Sequence, residues 1–232
     1  MIAKCDAEGD LIRKVDPKIE KTIIPNAADT EFFKPGPPIP DEGPLNLLCV
    51  ARLIKRKGQH HLIQAVKQLT EQGVEVTLDL VGDGDAEQEY IELVNSLQIE
   101  DKVNFLGYIP RSEMPEVYAH AHVFVLPSFN EGMSVATLEA MAAGLPVVVS
   151  KTPGTLELID EGVNGFTFRW DDIENLVSFI RQLGENRSSA RMMGVNSNSK
   201  ASEFSLRSSA DQLMNTTNQV YEDYSNRVVP IN

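Results

Sequence analysis

Two glutamates, Glu131 and Glu139, stand eight positions apart on a segment that opens as a glycine turn and runs on as a good helix former, Glu131-Gly132-Met133-Ser134-Val135-Ala136-Thr137-Leu138-Glu139. Apolar runs flank it, Val123 to Leu126 before and Val147 to Val149 after. A strand, a tight turn and a helix N-terminus together bind anions, because free backbone N–H groups and the helix dipole face one spot. Carboxylates beside such a device repel phosphate; they make better sense as acceptors for hydroxyl donors. A ligand that carries both phosphate and hydroxyls is a nucleotide sugar. A second set of residues supplies positive charge: Arg52, Lys55, Arg56 and Lys57 fall within six residues, directly after the apolar run Leu45 to Ala51. Arg52 with its planar fork and Lys57 as a point charge could hold a diphosphate together. A solvated basic loop is the plainer alternative, and the acidity of the rest of the chain weighs against it.

Weaker signals follow other apolar runs. Val81-Gly82-Asp83-Gly84 has a Gly-x-Gly turn at which backbone can approach a ligand, but the third glycine of a dinucleotide-binding fingerprint is absent. Leu106-Gly107 could leave room for a flat base, or be a simple turn. Pro153-Gly154-Thr155 with Glu157 could border a ligand, or Glu157 could simply favour a helix N-terminus. His120 and His122 form a His-x-His pair with no third ligand nearby in sequence.

These motifs need a scaffold that brings them to one edge. Short apolar runs (Leu45–Ala51, Val76–Val81, Val103–Leu106, Val123–Leu126, Val147–Val149, Phe166–Phe168) alternate with amphipathic stretches (His60–Gln72, Glu87–Leu97, Arg111–Ala119, Ser134–Ala143, Thr155–Asp160, Ile173–Leu183). That pattern predicts an α/β, Rossmann-like doubly wound parallel sheet of about six strands. Ligands of such folds sit beyond the carboxyl ends of the strands. Residues 1–44 read as an interdomain connector and remnant of an N-terminal domain, weakly helical to about Lys14, with a short strand at Lys21 to Pro25 and prolines at 35, 37, 38, 40 and 44. Residues 45–185 form the nucleotide-binding unit, and 186–232 read as C-terminal helices of polar composition.

The 232 residues carry a formal net charge of −13, which argues against a nucleic-acid binder. No apolar run approaches the roughly 20 residues needed to span a bilayer, and the first residues lack the apolar core of a signal peptide. The two cysteines, Cys5 and Cys49, provide no disulfide framework. The expected location is the cytoplasm.

Taken in order, Asn26-Ala27-Ala28-Asp29, Val50-Ala51-Arg52-Leu53 with Lys57-Gly58, Val81-Gly82-Asp83-Gly84, Phe105-Leu106-Gly107-Tyr108, the Glu131–Glu139 motif with Ala140 to Val148, and Gly162-Val163-Asn164-Gly165 resemble the C-terminal, donor-binding half of retaining glycosyltransferases of family 4, which have the GT-B fold. The resemblance implies that Glu131 bonds sugar hydroxyls, that backbone at Gly132, Met133, Ser134 and Val135 meets sugar and phosphate, and that Glu139 binds ribose. It implies that Arg52 and Lys57 neutralise the leaving diphosphate between those two glutamates, and that Gly82, Gly84, Leu106 and Gly107 border the donor. No metal or other cofactor is then required. Two departures stand out. Pro153-Gly154-Thr155 replaces the usual Gly-Gly, and Asn26-Ala27-Ala28-Asp29 replaces Asn-Gly-Val-Asp. The implied partners are a nucleotide sugar and an N-terminal acceptor-binding domain absent from this chain, through which any peripheral membrane contact of a full-length enzyme would run. Truncation of a longer gene product is the favoured explanation of that absence. The competing readings are a GT-B-type nucleotide-sugar epimerase or phosphorylase, and a binding module without catalysis.

Overall fold

The structure, a computed structural model, describes residues 1–228. Its first 24 residues are more ordered than a connector. Strand β1 (Ile2–Ala3), helix α1 (Asp6–Val15) and strand β2 (Thr22–Ile23) form a small parallel β-α-β unit. Strands of two residues each give almost no periodic signal, which is why the pattern of the sequence shows only a weak helix and a short strand. The proline-rich stretch after Lys34 has no regular element up to Leu45.

The six apolar runs become β3 (Leu45–Val50), β4 (Val76–Val81), β5 (Val103–Gly107), β6 (Val123–Leu126), β7 (Val147–Ser150) and β8 (Gly165–Phe168). They pair in the order β5-β4-β3-β6-β7-β8, all parallel. Every residue of β6 and β7 is buried. This burial on both faces explains their unbroken apolar sequence. The covering helices are α2 (Gln59–Glu71), α3 (Glu87–Leu97), α4 (Met114–His120), α5 (Val135–Ala142), α6 (Ile173–Glu185) and α7 (Arg187–Ala201), followed by α8 (Leu206–Val228). Helix α2 packs against α3 and α6, while α5 packs against α7.

Two expectations are corrected. Thr155–Asp160 forms no helix: Thr155 to Leu158 are turns and Ile159 and Asp160 have no regular structure, because local side chains capture the backbone groups a helix would use. Thr155 Oγ1 accepts from Thr152 N at 2.9 Å, Asn164 Oδ1 accepts from Asp160 N at 2.8 Å, and Asn164 Nδ2 donates to Leu158 O at 2.9 Å. The helix expected from Arg111 begins only at Met114, with Pro115 in its first turn, where a missing N–H costs nothing. The polar C-terminal stretch is helical, and its first helix packs on the domain: Ala190, Met193 and Ala201 of α7 belong to the main core.

Candidate functional site

The connections from β3 and β6 leave the sheet's centre toward opposite faces, and the crevice between two such connections is where open α/β sheets bind ligands. Residues 51–58 follow β3, and 127–134 follow β6. Arg56 ties the two loops together. Its carbonyl accepts from Phe129 N at 2.9 Å and from Ser128 Oγ at 3.3 Å, and its Nη1 donates to Asn130 O at 2.5 Å. Lys57 Nζ lies 2.5 Å from Glu131 Oε2, with both side chains only 15% and 16% exposed. Lys55 pairs with Glu89 at 2.9 Å. Of the four cations in this loop, Lys55 and Lys57 have a carboxylate within 4.0 Å; among the described residues Arg52 and Arg56 have none, and Arg56 is bonded to backbone instead.

Two adjoining cavities open along this crevice, and Val50 at the end of β3 lines both. The first, about 430 Å³, is bordered by Lys57, Glu131, the turn Gly132–Ser134 and the first residues of α5, Val135 and Ala136. Ser134 caps α5, its side chain accepting from Thr137 N at 3.2 Å. The helix N-terminus therefore opens on this cavity. Lys4, Glu8 and Asn26 complete its wall from the other side. Asn26 Nδ2 donates to Met133 O at 2.7 Å, and Glu8 Oε2 accepts from Lys4 N at 3.0 Å.

The second cavity, about 320 Å³, is lined by Arg52, Gly82, Asp83, Tyr108, Arg111 and Glu139, among others. Glu139, 12% exposed, has a donor on each oxygen: Arg111 Nη1 lies 3.1 Å from Oε1, and the Tyr118 hydroxyl donates to Oε2 at 3.1 Å. Burial raises its carboxyl above the ordinary 4.5, while the Tyr118 hydrogen bond and the Arg111 charge oppose that rise. The Arg111 guanidinium rests over the rings of Phe32 and Phe33, 5.6 Å and 5.3 Å from their centroids.

The arrangement differs from the expectation in one respect. The two cations do not stand together between the glutamates. Lys57 is bonded to Glu131 in the first cavity, and Arg52 lines the second with Glu139. The glycines after β4 also have a plainer role. A Cβ at Gly82 would lie 2.2 Å from Ala51 O, and one at Gly84 would lie 2.4 Å from Leu53 O, so they let this turn dock on the β3 loop. Gly82 lines the second cavity; Gly84, Leu106 and Gly107 line neither, and Tyr108 and Ile109 take the place expected for the latter two. Glu157 bonds Asp6 N at 2.8 Å, joining the turn after β7 to the start of α1. His122 Nδ1 accepts from Asn46 N at 3.0 Å, a structural use of the His-x-His pair. Among the described residues, no group of three or more His, Cys, Asp or Glu is placed to hold a metal.

Sequence reasoning missed Lys4, Glu8, Asn26, Arg111 and Tyr118 as site residues. Asn26 sits in a segment of the family pattern and Arg111 is the only cation between β5 and β6, which is a usable signal. Nothing local marks Lys4 or Glu8.

The six-strand parallel sheet flanked by helices, with carboxylates and cations lining two cavities at its switch point, matches the fold of GT-B glycosyltransferase structures. The chain belongs to the family of glycosyl transferases group 1, whose model matches residues 30–200. It is 35% identical over 148 residues to the amylovoran biosynthesis glycosyltransferase AmsK of Erwinia amylovora, covering 61% of this chain and 36% of that protein. It is 29% identical over 188 residues to the GDP-mannose-dependent alpha-(1-6)-phosphatidylinositol monomannoside mannosyltransferase of Mycolicibacterium smegmatis, covering 74% of this chain and 49% of that one. Among solved structures, Anabaena Alr3699/HepE in complex with UDP-glucose superposes with a TM-score of 0.83 at 28% identity, over 94% of this chain and 63% of HepE. The chain thus spans less than two thirds of each of these relatives, and no helix among its described residues is long and apolar enough to cross a membrane.

Proposed function

We propose that this chain is the donor-binding, C-terminal half of a retaining glycosyltransferase that moves a hexose from a nucleoside diphosphate to an acceptor hydroxyl, for which a further, acceptor-binding domain supplies the other wall of the cleft. The observation that carries the reading is the pair of adjoining cavities at the switch point. In this reading the sugar occupies the first cavity, against Glu131 and the turn Gly132–Val135. The ribose and base occupy the second, against Glu139 and the Gly82-Asp83 turn. The diphosphate spans the end of β3, where Arg52 approaches from one cavity and Lys57 from the other.

When the bond from the anomeric carbon to the diphosphate oxygen breaks, the electron pair leaves with the diphosphate. Arg52 and Lys57 offset that developing charge, aided by the N-terminal amides of α5. Glu131 accepts from sugar hydroxyls once ligand phosphate competes for Lys57. These protein charges make a metal unnecessary for holding the diphosphate. Two relatives indicate which donors to try first, since HepE is described with UDP-glucose and the mycobacterial enzyme as GDP-mannose-dependent.

The test is thermal shift and calorimetry of the chain with UDP, GDP and ADP and with UDP-glucose and GDP-mannose. At 100 Kd of ligand the expected stabilisation is about 2.7 kcal/mol. No stabilisation by any of them at millimolar concentration would sink the reading. Proton NMR of the anomeric signal of product made by the longer protein tests retention.

A further inference from the structure

Glu139 is held by two protein donors before any ligand arrives, and one of them, Tyr118, is a fully buried residue of the main core whose hydroxyl reaches the carboxylate. From this geometry we infer that Tyr118 is a positioning residue for ribose recognition: with Arg111 it sets the Glu139 carboxylate so that its free lone pairs meet the 2′- and 3′-hydroxyls of the nucleotide. The inference rests on the placement of ribose against Glu139 proposed above.

A carboxylate offers about four lone-pair sites. Tyr118 takes one on Oε2 at 3.1 Å and Arg111 takes one on Oε1 at 3.1 Å. One site remains on each oxygen, which suits a cis-diol with two donors. The tyrosine cannot shift to follow the glutamate. It is fully buried, packs edge-on against Phe33 with centroids 5.5 Å apart, and contacts Phe124 at 6.4 Å. Its hydroxyl also lies 3.3 Å from Ala136 O, a neutral acceptor that would satisfy a buried phenol on its own. With one proton to give, the hydroxyl favours the closer, charged partner. Burial and the Glu139 charge hold the phenol far above its usual pKa, so the donor stays protonated. Arg111 is fixed in turn by Phe32 and Phe33 beneath its guanidinium. An orienting hydroxyl on one oxygen and a clamped guanidinium on the other leave the carboxylate a single plane.

The experiment compares the full chain with its Tyr118→Phe variant, using UDP and 2′-deoxy-UDP as calorimetric probes and carbon NMR of the Glu139 carboxyl across pH. Tyr118→Phe removes one oxygen and keeps the ring, so the fold survives. The expected results are a loss of UDP affinity of about 5- to 20-fold, about 1 to 1.8 kcal/mol, a smaller loss for 2′-deoxy-UDP, and Glu139 titrating at higher pH than in the wild type. Equal losses for the two nucleotides, or an unmoved Glu139 titration, would overturn the role of Tyr118 and leave the donor reading standing. Arg111→Gln, at a half-exposed rim position, checks the other anchor: it should raise the Glu139 titration as well, and failure to do so counts against the paired arrangement. If the wild type binds no UDP, GDP or ADP at all, the donor reading falls and this inference with it.

Discussion

Arg52 and Lys57 look equivalent in the sequence, two cations five positions apart after one strand, and the structure makes them different. Arg52 is exposed and has no carboxylate within 4.0 Å among the described residues, so Arg52→Ala removes charge from a wet site and should leave stability nearly unchanged. Lys57 is bonded to a carboxylate as shielded as itself. Lys57→Ala strands Glu131 in a cavity and should cost about 1–3 kcal/mol of stability, below the full cost of breaking a deeply buried pair. The reverse variant is more telling about function. Glu131→Ala frees Lys57 for phosphate, so bare UDP should bind as tightly as before or tighter, while UDP-glucose loses its added sugar contacts. Denaturation curves of the three variants and calorimetry with both ligands test this. Weaker binding of UDP to the Glu131 variant would contradict the assignment. Residue identity was legible at these positions because unlike charges follow strands at fixed spacing. The pairing was not, since Lys57 and Glu131 lie 74 residues apart and only the sheet order makes them neighbours.

At the scale of elements, the strands were readable because burial on both faces demands continuous apolar sequence, as in Val123-Phe124-Val125-Leu126. The segment Thr155–Asp160 shows why the rest was not. Its pattern suits a helix, and threonine and asparagine side chains divert the backbone elsewhere. That diversion has a consequence for the site. Gly154 lies directly against the turn that follows Glu131: a Cβ there would meet Gly132 O at 2.2 Å, the Gly132 carbonyl carbon at 2.3 Å and Met133 N at 2.5 Å. These are backbone atoms, which cannot yield as a flexible side chain would. The substitution of the usual Gly-Gly by Pro153-Gly154 therefore keeps the one glycine that this packing requires. Gly154→Ala should displace the turn Gly132–Ser134 and weaken UDP-glucose binding by about tenfold or more, about 1.4 kcal/mol. UDP should suffer less, because Glu139 and Arg52 are anchored on other elements. Calorimetry with both ligands decides between this and a general loss of folding, for which equal losses and a lowered melting temperature would be the signature.

For the molecule as a whole, the small β-α-β unit at the N-terminus is joined to the sheet domain more by polar ties than by a shared core. Its buried side chains, Ala3, Cys5 and Ile24, lie outside the main core cluster, which begins at Ala28. The ties are the bond from Asp6 N to Glu157 and, just beyond the unit, the one from Asn26 to Met133. Lys4 and Glu8 nonetheless line the first cavity, whereas nothing before Val50 lines the second. A chain beginning after Ile24 should therefore keep the six-stranded sheet and lose little thermal stability. Its loss should fall on one ligand. UDP, whose ribose and base use the second cavity, should bind nearly as well as to the whole chain. UDP-glucose should bind less tightly than before, since the sugar's cavity would be open on one side and wetter, which weakens each polar contact within it. Melting curves and paired titrations of the shortened and whole chains measure both effects. If UDP-glucose binding were unchanged, Lys4 and Glu8 would border the cavity without touching the sugar; if the shortened chain unfolded, the unit would be part of the domain's stability and not an attachment to it.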